Sequence, residues 1–138
     1  MLYIAQRGSS MLSLKDYKNA KDIKNLVAKL FESRQVAHNV HLQTKSYAQH
    51  KALNGFYENI LDFTDTFVET YQGQYGILSG YEKLIIIEPV NEIETYLEDC
   101  AKIFSIAKDS MDDSHLKNIM EEIISLTYKT LYKLKHLK

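Results

Sequence analysis

Apolar residues recur at three- and four-residue steps along most of the chain, and that period predicts helices rather than strands. A first helix is expected over about residues 14–42, with Ser13 as its N-cap and Ile23, Val27, Leu30, Arg34, His38 and His41 in register. A short turn at 43–46 leads to a second helix over about 47–72, whose apolar stripe is Leu53, Tyr57, Ile60, Thr64, Phe67, Val68 and Tyr71. Gly73, Gly76 and Gly80 then punctuate the chain as helix ends and loops do. The β-branched run from Leu84 to Ile87, just before Pro89, reads as an extended crossover. A third helix is expected over about 90–108, with Asn91 as a candidate cap, and a fourth over about 112–135. Asp112 and Asp113 suit the positive end of the fourth helix, and Lys133, Lys135 and Lys138 its negative end. Two short-turn pairs joined by a long connection over 77–90 predict an all-α four-helix bundle with one crossover, between the second and third helices.

Composition narrows the class. A chain of 138 residues is expected to form a single domain, 1–138. One proline and five glycines argue against long linkers and multi-turn β folds. The net charge of −1 supplies no global field for nucleic acid. Cys100 is the only cysteine, so no internal disulfide forms, and a cytoplasmic location is expected. The opening MLYIAQRGSS is too short in its apolar part for a signal peptide, and no apolar run is long enough to span a membrane.

Chemistry enters with a ladder of five positions: His38, His50, Asn54, Asp65 and Glu69, at steps of 12, 4, 11 and 4. Two imidazoles and two carboxylates make a ligand set for a transition metal. On a helical wheel with His50 at zero, Asn54 falls at about +40°, Asp65 about +60°, Glu58 about +80° and Glu69 about +100°. The stripe of Leu53, Ile60, Thr64, Phe67 and Tyr71 lies at about −40° to −100°. The ladder therefore flanks the core, facing water or a second subunit.

The spacing His38-x11-His50-x3-Asn54-x10-Asp65-x3-Glu69 resembles the metal site of the Dps-type mini-ferritins, His-x11-His-x3-Asp-x10-Asp-x3-Glu. Tyr57, seven residues after His50, is similar to that family's helix-borne tyrosine, and residues 130–137 are similar to its closing helix. The resemblance covers roughly residues 20–76 and 112–137. It implies a ferritin-like bundle assembled as a homo-oligomer, from a dimer up to a hollow dodecamer. Its iron sites would lie between subunits, with the histidines from one chain and the later Asp and Glu from its partner. The implied activity is oxidation of Fe(II), preferably by hydrogen peroxide, with storage of the ferric product and protection from peroxide.

Three positions depart from that pattern. Asn54 replaces an acid and removes a negative charge, which predicts a weakened ferroxidase, with one metal in place of a pair or a preference for zinc or another divalent ion. Asn39 stands where the family usually has tryptophan, and 77–90 is short for the family's small interface helix. Glu58, one turn beyond Asn54, either restores the carboxylate by reaching back or is an exposed glutamate. His41 is either a satisfied core histidine or a substitute ligand. Cys100 reads as a small buried residue.

DNA binding is a separate question. Lys15, Lys18, Lys21 and Lys24 form a basic first turn, and Lys129, Lys133, Lys135, His136 and Lys138 a basic end. Such charges usually solvate helix ends, and only repetition in an oligomer gives them a role with DNA. The competing reading of the whole chain is a bundle without oxidase activity, serving as a structural or binding protein such as a viral or mobile-element accessory.

Overall fold

The computed structural model of the protein describes residues 14–81 and 92–138, with side chains from residue 22 onward. Its helices are α1 (Leu14–Gln43), α2 (Tyr47–Tyr75), α3 (Ile93–Asp109) and α4 (Ser114–His136). Among the described residues there is no strand. α1 packs along α2 and α3, and α4 packs along the same two, so the helices close a four-membered bundle.

The expected period fills the core. Leu53, Phe56, Ile60 and Phe67 of α2 meet Leu97, Cys100 and Phe104 of α3 and Leu116, Met120 and Ile123 of α4 in one buried cluster. Burying each large apolar side chain contributes about 1.5–3 kcal/mol. One expected stripe member is displaced. Phe56 is fully buried, whereas Tyr57 is half-buried at the bundle edge, because a hydroxyl needs a partner that the apolar centre lacks. Val68, Arg34 and His38 are also half-buried, and Ser33 and Ala37 take the inner positions beside them.

The α1–α2 turn is 44–46, one residue shorter than expected. Ser46 caps α2 by accepting from the Gln49 amide at 3.2 Å, and the Thr44 hydroxyl accepts from the Ser46 amide at 3.1 Å. α2 runs three residues beyond its expected end. Gly73 lies inside the helix, and Gly76, at φ 99°, is the residue that ends it. α4 starts at Ser114 rather than Asp112. α3 begins at Ile93, later than the expected start, and Glu92 makes no side-chain cap bond. Ser13, Asn91, the run from Leu84 to Ile87 and Pro89 lie outside the described residues.

Polar contacts tie the helices together near their ends. At the foot of α2, Gln74 donates to Asp113 at 3.2 Å, Tyr75 also donates to Asp113, and His115 donates to the Gln74 side-chain oxygen Oε1 at 2.7 Å. Between α1 and α3, the Glu32 carboxylate accepts from Lys29 at 2.6 Å and from the Tyr96 hydroxyl at 2.7 Å. Lys135 of α4 pairs with Glu98 of α3 at 2.6 Å. Lys24 is buried, so it is not part of a solvated basic turn. No described helix is long and apolar enough to cross a membrane.

Candidate metal site

The five-rung ladder is laid out along two helices and divides into two halves. The first half sits around the α1–α2 turn. His38 and His41 come from the last turns of α1, and His50 comes from the first turn of α2. Asn54, Tyr57 and Glu58 follow on the next two turns of α2. The second half, Asp65 and Glu69, lies one helical turn apart and exposed. At 1.5 Å per residue, Asp65 is roughly 22 Å along the helix from His50. The two halves of one chain therefore do not meet. Among the described residues, no group of three or more His, Cys, Asp or Glu side chains is gathered closely enough to hold a metal ion.

Within the first half the rings are closely organised. His38 stacks on Tyr57 with centroids 4.1 Å apart and planes 14° from parallel. His41 stacks on His50 at 3.7 Å and 20°. The second pair is also hydrogen-bonded in both directions. His41 Nδ1 lies 2.8 Å from the His50 carbonyl oxygen, and His50 Nδ1 lies 2.9 Å from the His41 carbonyl oxygen. A carbonyl oxygen only accepts, so both Nδ1 atoms carry hydrogen. In the neutral ring each leaves Nε2 as the nitrogen with a lone pair. A metal-ligating histidine is commonly held this way, with its other N–H on a backbone carbonyl. The His41 carbonyl belongs to the last turn of α1, where helical carbonyls lack intrahelical partners, so His50 also caps that helix.

Asn54 is tied on both sides. Its amide donates to Glu58 at 3.1 Å, and its carbonyl oxygen accepts from the Tyr57 hydroxyl at 3.0 Å. Glu58 is exposed and accepts this bond from Asn54 one turn before it. Asn54 thus connects Glu58 to Tyr57, and Tyr57 supports the His38 ring. His41 is buried. Its ring plane lies almost parallel to that of His50, and in-plane lone pairs of stacked rings diverge from a common ion. His41 is therefore poorly placed to share a metal with His50. What sequence reasoning missed is the reciprocal bonding of these two histidines. Its only sequence signal is that one histidine sits just before the hairpin and one just after it.

Other polar groups belong to the framework. Burial pushes the Cys100 thiol up to about 11, so a reactive thiolate is disfavoured. Burial also raises Tyr96, as do the neighbouring Cys100 and Glu32. Burial works against ionised Glu32, but the hydrogen bonds from Lys29 and Tyr96 outweigh it and hold its pKa below the usual value.

Fold and side-chain layout together define an all-α four-helix bundle with a histidine-rich hairpin. A family model matches residues 41–134, more than half of the chain, and the chain belongs to that family, DUF5856, described as a family of unknown function. The match begins at His41 and takes in His50, Asn54, Asp65 and Glu69. No curated protein and no solved structure matches the chain.

Proposed function

We propose that the protein is a cytoplasmic, ferritin-like, Dps-type protein that binds and oxidises Fe(II) at sites shared between two copies of the chain. The register of α2 carries this reading. A two-fold axis crossing α2 between residues 59 and 60 sets His50 of one copy opposite Glu69 of the other, and Asn54 opposite Asp65. Both pairs share one centre, and all four positions lie within about 100° on the helical wheel. A self-complementary pairing of this kind is what a two-fold interface requires. It would unite the two halves that a single chain keeps roughly 22 Å apart.

The helix order supports a ferritin-like path. α2 ends beside Asp113, and α3 also ends near that residue. The end of α2 and the start of α3 are thus separated by about the length of α3, roughly 25 Å, which favours a long crossover between them. In the composite site Asp65 and Glu69 would hold and bridge the iron, while His50 and His38 would complete its ligands. Each Fe(II) gives up one electron. Two such electrons reduce one hydrogen peroxide to water, with two protons taken from solvent. Asn54 brings no charge, so iron would bind weakly, and an imidazole-rich half-site accepts zinc as well.

A second reading is favoured by Asn54 itself. Its amide is occupied on both sides, as in a purely structural helix surface. The bundle would then be a structural or binding protein without oxidase activity. Anaerobic Fe(II) titration followed by peroxide, with the native mass measured in parallel, separates the two. On the first reading Asn54→Asp raises iron stoichiometry and oxidation rate, and His50→Ala abolishes binding. If wild type and both variants behave alike, the structural reading stands.

A further inference from the structure

The His41–His50 arrangement is a closed loop of contacts. Each imidazole donates through Nδ1 to the other residue's carbonyl, at 2.8 and 2.9 Å, and the ring faces touch at 3.7 Å. His41 is buried and His50 is half-buried. An imidazole left alone can turn over about χ2 and exchange its protonated nitrogen, because that torsion is broad and nearly two-fold. His50 is denied both freedoms. Turning over would break its bond to the His41 carbonyl. The His41 side chain in turn anchors the His50 backbone.

We infer that His41 is a positioning residue that fixes His50 in the Nδ1–H tautomer and reserves His50 Nε2 for a divalent cation. The metal half of this statement rests on the proposed reading of His50 as a ligand; the tautomer half does not. His41 differs from a ligand in acting through the ring and backbone of His50. It differs from a simple core residue because the nitrogen it leaves bare on His50 is the one a metal would take. Partners of this kind typically change metal affinity by about 10–100-fold when removed.

The test uses the full chain labelled with ¹⁵N at histidine, and Zn²⁺ as the probe. In the wild type, His50 should show a protonated Nδ1 and a bare Nε2. His41→Phe keeps a ring face against His50 and removes the N–H. The residue-41 carbonyl that holds His50 Nδ1–H survives in this variant, so the tautomer should persist, while the released His50 backbone should weaken Zn²⁺ binding by about tenfold or more, with helix content and native mass unchanged. His41→Asn keeps an N–H donor near the Nδ1 position and should recover part of that loss. A wild-type His50 carrying its proton on Nε2 overturns the inference, and this result needs no variant to fold. So does a folded His41→Phe protein with Zn²⁺ affinity unchanged. If His50→Ala binds Zn²⁺ as the wild type does, the ligand reading fails, while the tautomer measurement still decides the role of His41.

Discussion

The Tyr75 hydroxyl, at the last residue of α2, donates to the carboxylate of Asp113, the residue that precedes α4. The contact joins positions 38 apart in sequence and pins the foot of the bundle. The bond to Asp113 pushes the Tyr75 hydroxyl up to about 12, and the same bond holds Asp113 below its ordinary value. The folded chain therefore keeps the Tyr75 proton longer than the unfolded chain does. The stabilisation is complete below pH 10, the ordinary tyrosine value, and disappears as pH rises through about 12. The Asp113 contribution is present above pH 3.8 and is lost as pH falls through its lowered folded value. Because the pair is exposed, Tyr75→Phe should cost less than about 1 kcal/mol at neutral pH. Urea unfolding across pH should show wild type and variant converging at the alkaline end.

Two glycines three residues apart should respond in opposite directions. Gly73 lies inside α2, and a methyl group added there would meet open space, so Gly73→Ala should stabilise by up to about 1 kcal/mol. Gly76 has φ 99° and ψ 167°, a region that side-chain-bearing residues avoid. Gly76→Ala should destabilise by about 1–3 kcal/mol. Thermal melts of the two variants read this directly, and equal shifts would contradict the assigned helix end.

Neighbouring aromatic residues should separate core from site. Phe56 is fully buried, so Phe56→Ala should cost about 3–5 kcal/mol. Tyr57→Phe preserves the ring on His38 and removes only the bond to Asn54, which should cost about 1 kcal/mol. Chemical denaturation midpoints measure both. The Tyr57 variant should also alter iron binding if Asn54 orientation matters to the site.

Cys100 should resist thiol reagents in the native protein. It is fully buried, and its thiol is pushed up to about 11. At pH 8, labelling should be far slower than for the urea-unfolded chain, with the rate following global unfolding. Tyr96→Phe, which removes a donor from Glu32, should destabilise the protein by about 1–3 kcal/mol and speed the labelling.

Much of the architecture was legible because helix period and burial are the same fact seen twice. Ile60, Thr64, Phe67 and Tyr71 are buried as their spacing requires, and Asp65 and Glu69 are exposed beside them. What spacing does not encode is which polar partner a side chain will choose. Asp113 suits the start of its own helix, yet it makes no side-chain cap bond, because Tyr75 and Gln74 occupy its carboxylate. The same contacts accompany the continuation of α2 past Gly73. His41 is readable as a core histidine, but its bond to the His50 carbonyl depends on how the hairpin closes. For the ladder, spacing shows the residue types but not that one chain holds the two halves apart along α2.

The buried serine and threonine hydroxyls among the described residues have a mechanical consequence. Ser33, Thr64, Thr127 and Thr130 all donate to carbonyls of their own helices, at 2.6–2.9 Å. None of these pegs reaches across to a neighbouring rod. Greasy side chains alone tolerate small axial slips, so polar fasteners help align the rods: the paired imidazoles at one end, Tyr75 with Asp113 at the other, and Tyr96 with Glu32 and Lys135 with Glu98 between helices. Undoing one fastener should leave a helical but slippery bundle, with broadened side-chain signals before any loss of helix.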